Sequence, residues 1–506
     1  MPARFLFLAL PIVALCMSVI PVAVNAQTSD QQNLTPSTIL EDFSKNYLPE
    51  GMTLYATNWL RWSEWRYFDP AAPGGDPDYN YFSNRLRFGL KYKKDFWNAE
   101  ASFQYVKQWS LPDDASGIPG GALGLGAVYF QHNRSTAPDS LYVKYLNFTL
   151  ENIADTGISA TFGRFDYSGG LETLSNNPKI DWLKKVRLDA RLIGGFGWSI
   201  YQRSFDGAKF QWDHDLGHLS VSGFRPTQGG FEQSAGKRIN DIDVLATAYT
   251  FKPGKIIPDS EIQLFDYYYD DQRDIPVRAD NSGIAPLHRQ DIAFHTIGGH
   301  FAGATTVGNG IADLLIWGAY QTGDWYEQNH RASGVAAEIG YQFMQALWKP
   351  WLRLGAFQGT GDDNPADNTH GTFYQILPTV RKYAFTTTYN LMNNEDYFIQ
   401  LLLNPAKDLK VRADLHFLKL NESNDLWYGG AGATRSSGTF QGYAGRPSGG
   451  DDELGTSLEL TAEYQLTHYM NLHAFYGHIF GDDVISNNFQ DDDDFDFFFL
   501  EMTLDF

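Results

Sequence analysis

Eight basic side chains carry the chemistry that this sequence is best equipped to perform. Arg85, Arg87, Lys91, Arg203, Lys209, Arg353, Lys410 and Arg412 fall in stretches where strand phase points them away from the apolar face. Arginine's planar fork pairs bidentately with a carboxylate, and such cations gathered at one depth of a water-filled passage make a local anion site. The same phase points Glu100, Asp213, Glu338, Asp414, Glu459, Glu463 and Glu501 to that face. The polar face is therefore nearly balanced, although the formal net charge is −21. The excess negative charge is expected on the connections. Ion pairing between neighbouring strands is the structural alternative for all of these groups.

Other chemistries lack their residues. The single cysteine, Cys16, lies in an apolar leader, so thiolate metal sites, a cysteine nucleophile and a disulfide frame are not expected. No His-Glu-x-x-His, Gly-x-Ser-x-Gly or phosphate-loop pattern occurs, and no nucleophile–base pair stands out on adjacent strands. His214 and His218 are four apart across an expected turn rather than on one helical face, so no metal is expected there. Gly121 to Gly126 lacks the strand-then-helix setting of a nucleotide loop. The run Asp491 to Asp494 and the group Asp362, Asp363, Asn364 and Asp367 lack the glycine-turn spacing of a calcium loop and read as solvated loops, with a rim-ordering role as the alternative for the second. Trp59, Trp62, Trp65, Trp97 and Tyr105 suit either sugar stacking or membrane-interface girdles. No cofactor is expected, and the acidic balance argues against nucleic acid.

The elements that must position these residues are strands. Residues 1–26 read as a cleaved signal peptide: Arg4, an apolar stretch from Phe5 to Val24, and the small-residue site at Ala23-Val24-Asn25-Ala26. Residues 27–50 are polar, lack a period and read as a periplasmic lead-in. Beyond them no apolar run is long enough for a spanning helix. What remains is alternation over about ten residues, as in 85–93, 97–105, 410–417 and 458–464. A mean hydropathy of −0.35 agrees with a wall that is half polar by construction. Tight links at 94–95, 152–156, 214–217, 404–408 and 467–469 alternate with long Gly/Asp/Asn-rich stretches at 69–80, 110–139, 167–202, 227–240, 271–290, 361–383, 422–455 and 482–494. The fold class is therefore all-β: a transmembrane antiparallel barrel over 51–506 with about 18 strands, short periplasmic turns and long extracellular loops. The last strand carries Phe498, Leu500, Met502, Leu504 and Phe506 on one face. Phe506 and Leu504 resemble the terminal signal read by barrel assembly machinery. Arg164 falls in phase with apolar neighbours, which requires either a rim position or a bulge.

Several segments together resemble the alginate export family: Gly163-Arg164-Phe165; Arg191-Leu192-Ile193-Gly194 with Trp198; Arg203 to Phe210; Gly361 to Pro365 with Thr372-Phe373 and Leu377-Pro378-Thr379; and Leu454 to Leu460. The resemblance implies an eighteen-stranded pore in the Gram-negative outer membrane that conducts an acidic polysaccharide or its oligomers, with lipids, the assembly machinery and periplasmic export proteins as partners. The alternatives are an uptake porin for small solutes and an outer-membrane barrel enzyme.

Overall fold

The computed structural model describes residues 38–117, 121–275, 277–282, 291–379, 384–436, 442–489 and 494–506. The leader, the lead-in up to residue 37, and Asp491 to Asp493 of the acidic run lie outside the described residues. From residue 38 onward, period-two alternation builds one sheet. Its wall strands, in chain order, are β1 (Met52–Arg66), β2 (Asp78–Lys94), β3 (Trp97–Trp109), β4 (Asp139–Leu150), β5 (Ile158–Phe165), β6 (Phe205–Asp213), β7 (Gly217–Pro226), β8 (Ile242–Phe251), β9 (Ser260–Asp271), β10 (Ile292–Val307), β11 (Gly310–Trp325), β12 (Gln328–Phe343), β13 (Trp351–Gly359), β14 (Asn394–Ala406), β15 (Leu409–Lys419), β16 (Glu453–Thr467), β17 (Met470–Gly481) and β18 (Asp494–Asp505). Each wall strand pairs antiparallel with the next, and β1 closes on β18 from Thr57↔Asp505 to Arg66↔Asp496. The result is a closed barrel of eighteen strands. A two-residue strand, Thr369–His370, runs parallel to the start of β12 and is not part of the wall.

The outward face carries the apolar belt that a bilayer requires: Phe88, Phe103, Leu146, Phe148, Phe162, Phe210, Ile297, Ile316 and Ile339 are all exposed in the isolated chain. One end has short turns, at 95–96, 214–216, 308–309, 407–408 and 468–469, and the other has the long connections, as the loop rhythm predicts. One connection at the long-loop end departs from that rhythm. Tyr326 and Glu327 alone join β11 to β12, with Tyr326 at φ 53°.

Two local expectations are resolved. Arg164 sits on the outward face at the rim, since the β5–β6 register runs unbroken and sets it opposite Asp206. Its Nε and Nη2 meet the Asp206 carboxylate at 2.6 and 2.8 Å, and its Nη1 donates to the carbonyls of Val143 and Gly236. The charge is thereby neutralised where burial in lipid would penalise it. Part of the lead-in is a helix, α1 (Ile39–Tyr47). A capping box starts it: Thr38 Oγ1 accepts from Glu41 N–H, and the Glu41 carboxylate accepts from Thr38 N–H. Nine residues are too few to register as a period in the sequence.

Candidate functional site

The lumen is built from the inward residues of the wall and from long connections that fold back into it. Segment 166–204 enters between β5 and β6. Asn177 caps its short helix, α2 (Pro178–Leu183), through bonds to Lys179 N–H and Ile180 N–H, and a wider turn at Lys184–Leu188 follows. This segment, with 360–393 and 420–452, covers the inward face of β8 to β14, so Ala246, Phe294, Thr296, Leu315, Gln321 and His330 are all buried.

The charges under this cover are paired. Arg187 Nε meets Glu338 Oε2 at 2.7 Å, Arg353 Nη1 meets the same oxygen at 2.9 Å, and Arg353 reaches Asp313 at 3.1 Å. Lys184 Nζ lies 2.6 Å from Glu261. Arg353 was expected as a conducting cation of the lumen. The structure corrects this: its side chain is 0% exposed and pairs with the wall carboxylates Asp313 and Glu338, the second of them shared with Arg187 of the inserted segment.

Arg203 is a second correction. It stands two residues before β6, in the inserted segment rather than on a strand. Its Nη1 donates to the carbonyls of Gly194 (3.2 Å) and Leu377 (3.1 Å), and its Nη2 to those of Ala431 (3.3 Å) and Ala433 (3.0 Å). One buried guanidinium thus ties 166–204, 360–393 and 420–452 together. A parallel bridge between Ile193 and Leu377 reinforces the join.

Other expected cations remain on the wall in partly accessible positions. Arg85, Arg87 and Lys91 share the inward face of β2, where Phe88 and its even-numbered neighbours face out. Arg85 lies 4.7 Å from the Trp59 ring, and Lys91 Nζ lies 4.8 Å from that of Tyr55. Arg87 donates to Gln104 Oε1 through Nε (3.0 Å) and Nη2 (2.8 Å), and also to Gln202. Gly89 leaves the gap that Tyr55 crosses: a Cβ there would come within 2.9 Å of the Tyr55 ring. Lys209 is half-buried on β6, 5.6 Å from the Phe165 ring. Lys410 is exposed on β15 opposite Glu463, and Arg412 pairs with Asp414 at 2.8 Å.

Arg61 was missed. It stands on the inward face of β1, pairs with Glu501 at 2.6 Å, and lies 4.6, 4.4 and 4.1 Å from the rings of Trp59, Trp198 and Phe499. The alternation Trp59, Arg61, Ser63, Trp65 was the signal that could have found it. Above Arg61, Phe385 from the connection after β13 stacks on Trp198 from the segment before β6, with centroids 5.3 Å apart at 14°. Glu459 accepts from the backbone of Phe385 and Thr386 and so fixes that tip. Two aromatic rings from different connections thus narrow the lumen over a wall carrying Arg61 and Arg85.

At the loop end, Asp362 N–H donates to Asp425 at 2.9 Å, Thr372 and Tyr428 hydroxyls donate to the same residue, and Asn281 donates to the Asp362 carbonyl. The acidic group around Asp362 therefore orders the rim by joining three connections. Burial pushes the Asp362 carboxyl up to about 6, and Asp425, Asp367 and Asp363 add to the rise. Among the described residues, no group of three or more His, Cys, Asp or Glu side chains could hold a metal ion. His214 bonds to Tyr249 and His218 to Asp213.

A closed, acidic, eighteen-stranded barrel with an apolar outer belt and inserted loops defines the class of outer-membrane porin-like channels. Residues 126–497 match the alginate export family, so the chain belongs to that family. No curated protein sequence matches it. Among solved structures, similar barrels are OccAB2 of Acinetobacter baumannii (8% identity, TM-score 0.57, covering 90% of this chain and 98% of that one) and a BenF-like porin from Pseudomonas fluorescens Pf-5 (10%, 0.55, 90% and 98%). OpdK of Pseudomonas aeruginosa with vanillate is a third (10%, 0.51, 90% and 98%). At these identities the likeness concerns the fold alone.

Proposed function

We propose that the barrel conducts an acidic polysaccharide or its oligomers by passive passage that favours anions. The observation that carries this reading is the row Arg85, Arg87 and Lys91 along one inward strand face, beside Trp59 and Tyr55, in a chain whose net charge is −21. Side chains two apart on a strand are ~6.7 Å apart, the spacing of Arg85 and Arg87, and Lys91 follows ~13 Å further along, so carboxylates spread along an extended polyanion meet a line of cations. Family membership favours a polymer over a small solute. Uptake of small carboxylates is the second reading, favoured by the inserted connections that narrow the lumen, and one similar barrel was solved with vanillate.

Reversal potentials across a salt gradient in planar bilayers test the anion preference. Wild-type protein is expected to favour anions, and combined Arg85→Glu and Arg87→Glu changes are expected to reduce or reverse that preference. Cation selectivity of the unaltered pore would sink the polyanion reading and leave the barrel untouched. Block by uronate oligomers but not by monomers separates polymer conduction from small-solute uptake.

A further inference from the structure

Helix α1 sits beside an open strand edge. β1 starts at Met52, whereas its partner β18 reaches only Thr57, so the first turn-side residues of β1 have no strand on that side. Phe506 N–H donates to Ala56 O, and beyond it the helix takes over. The Ser44 hydroxyl accepts from Leu54 N–H at 2.8 Å and donates to Leu40 O at 2.6 Å. The helix thus covers the edge of β1 that β18 leaves open.

The residues of α1 divide by sector. Ser44 is buried, and Leu40 and Leu48 beside it are half-buried. Next to that sector Ile39, Phe43 and Tyr47, spaced four apart, form a single stripe that is 72%, 45% and 75% exposed. The Phe43 and Tyr47 rings lie 5.0 Å apart. The remaining sector holds Asp42, Lys45 and Asn46, all exposed. Water on three large side chains with apolar bodies is costly, so the stripe calls for an apolar cover.

We propose that this stripe rests in the inner leaflet of the outer membrane, making α1 an interfacial helix that seals the seam between the first and last strands. The barrel's own lipid face leads up to it from both sides. Tyr92 stands opposite Met52, Trp97 lies 5.0 Å from Tyr92, and Phe148 lies 5.4 Å from Trp97. On the far side of the seam Phe506 closes the outward row Leu500, Met502, Leu504. Tyr92 and Phe506 stand on the two strands that flank β1, the strand whose edge α1 covers, so a lipid-facing stripe extends an aromatic belt of the kind that marks a bilayer interface. An apolar sector toward lipid beside a charged sector toward water is the arrangement of an interface-bound helix.

The test uses the full chain, whose single cysteine, Cys16, lies in the leader and is replaced by serine. Phe43→Cys, Tyr47→Cys and Lys45→Cys variants carry a nitroxide and are reconstituted in vesicles of phosphatidylethanolamine and phosphatidylglycerol. Each is first checked for the heat-dependent gel shift of a closed barrel. Labels at 43 and 47 are expected to be several-fold more accessible to oxygen than to a water-soluble nickel chelate, with the order reversed at 45. If 43 and 47 are as open to the chelate as 45, or shielded from both reagents, the stripe faces water or protein and the proposal fails. Neither readout involves conductance, so the result is independent of what the pore carries.

Discussion

Arg353 and Arg85 are both arginines on inward strand faces, yet they do different work. Arg353 shares Glu338 with Arg187 beneath the inserted segment, where no water reaches. Breaking one partner of such a buried set typically costs 3–5 kcal/mol, because the remaining charges stay desolvated. Glu338→Gln is therefore expected to lower the temperature at which the folded band disappears on gels by several degrees, whereas Arg85→Glu leaves it nearly unchanged. Equal shifts for the two variants would show that the division between structural and conducting cations is wrong. Asp362 makes a separate prediction. Its folded carboxyl titrates near 6, above the ordinary value of 3.8, so the stabilisation it contributes is complete below the ordinary value and is lost as pH rises through about 6. Protease cleavage within 360–393 is expected to accelerate between pH 4 and 7 in the wild type and to lose most of that dependence in Asp362→Asn. A pH profile unchanged by the substitution would remove Asp362 as its source.

At the scale of elements, the barrel closes where its last strand meets its first. β18 pairs with both β17 and β1, and Phe506 makes the last bond to β1 through Ala56. Its ring belongs to the outward apolar row with Leu504, where a charge costs up to about 2–4 kcal/mol, falling toward the interface. Phe506→Asp is expected to reduce the folded, heat-shifting fraction recovered from outer-membrane preparations while periplasmic delivery continues. Full recovery of that variant would mean that neither the assembly signal nor the closure of the seam depends on Phe506. The rim pair Arg164–Asp206 works in the opposite sense: it allows a charge on the outward face because the register sets its partner directly across.

At the scale of the molecule, wall and filling are separable. The wall closes through strand-to-strand bonds, the filling is held to it by Arg187 and Lys184, and Arg203 ties the filling's segments to one another. Replacing 171–200 by a short Gly-Ser linker is expected to leave a heat-modifiable barrel whose unitary conductance is several-fold larger than that of the wild type. An unchanged conductance would show that the inserted segment does not limit passage. Loss of the barrel would show that the wall needs its filling.

The sequence by itself determined the wall. Period-two alternation is a local property, and it sorted Arg85, Arg87, Lys91 and Glu100 to the inward face and Phe88 and Phe103 to the lipid without knowledge of any neighbour. Turn residues likewise located most of the links, and Arg61 was legible by the same rule in a strand whose phase went unread. The two-residue link at Tyr326-Glu327 was not legible, because no Gly or Pro marks it and long strands continue on either side. Only the tertiary structure decided which inward residues meet water. Arg203 finds its carbonyl partners up to 230 residues away, and Arg187 finds Glu338 at a separation of 151. Contacts at that range arise when polar loops fold into a closed cylinder that shields them. Strand phase specifies the side a residue faces, and what fills the space on that side depends on distant chain.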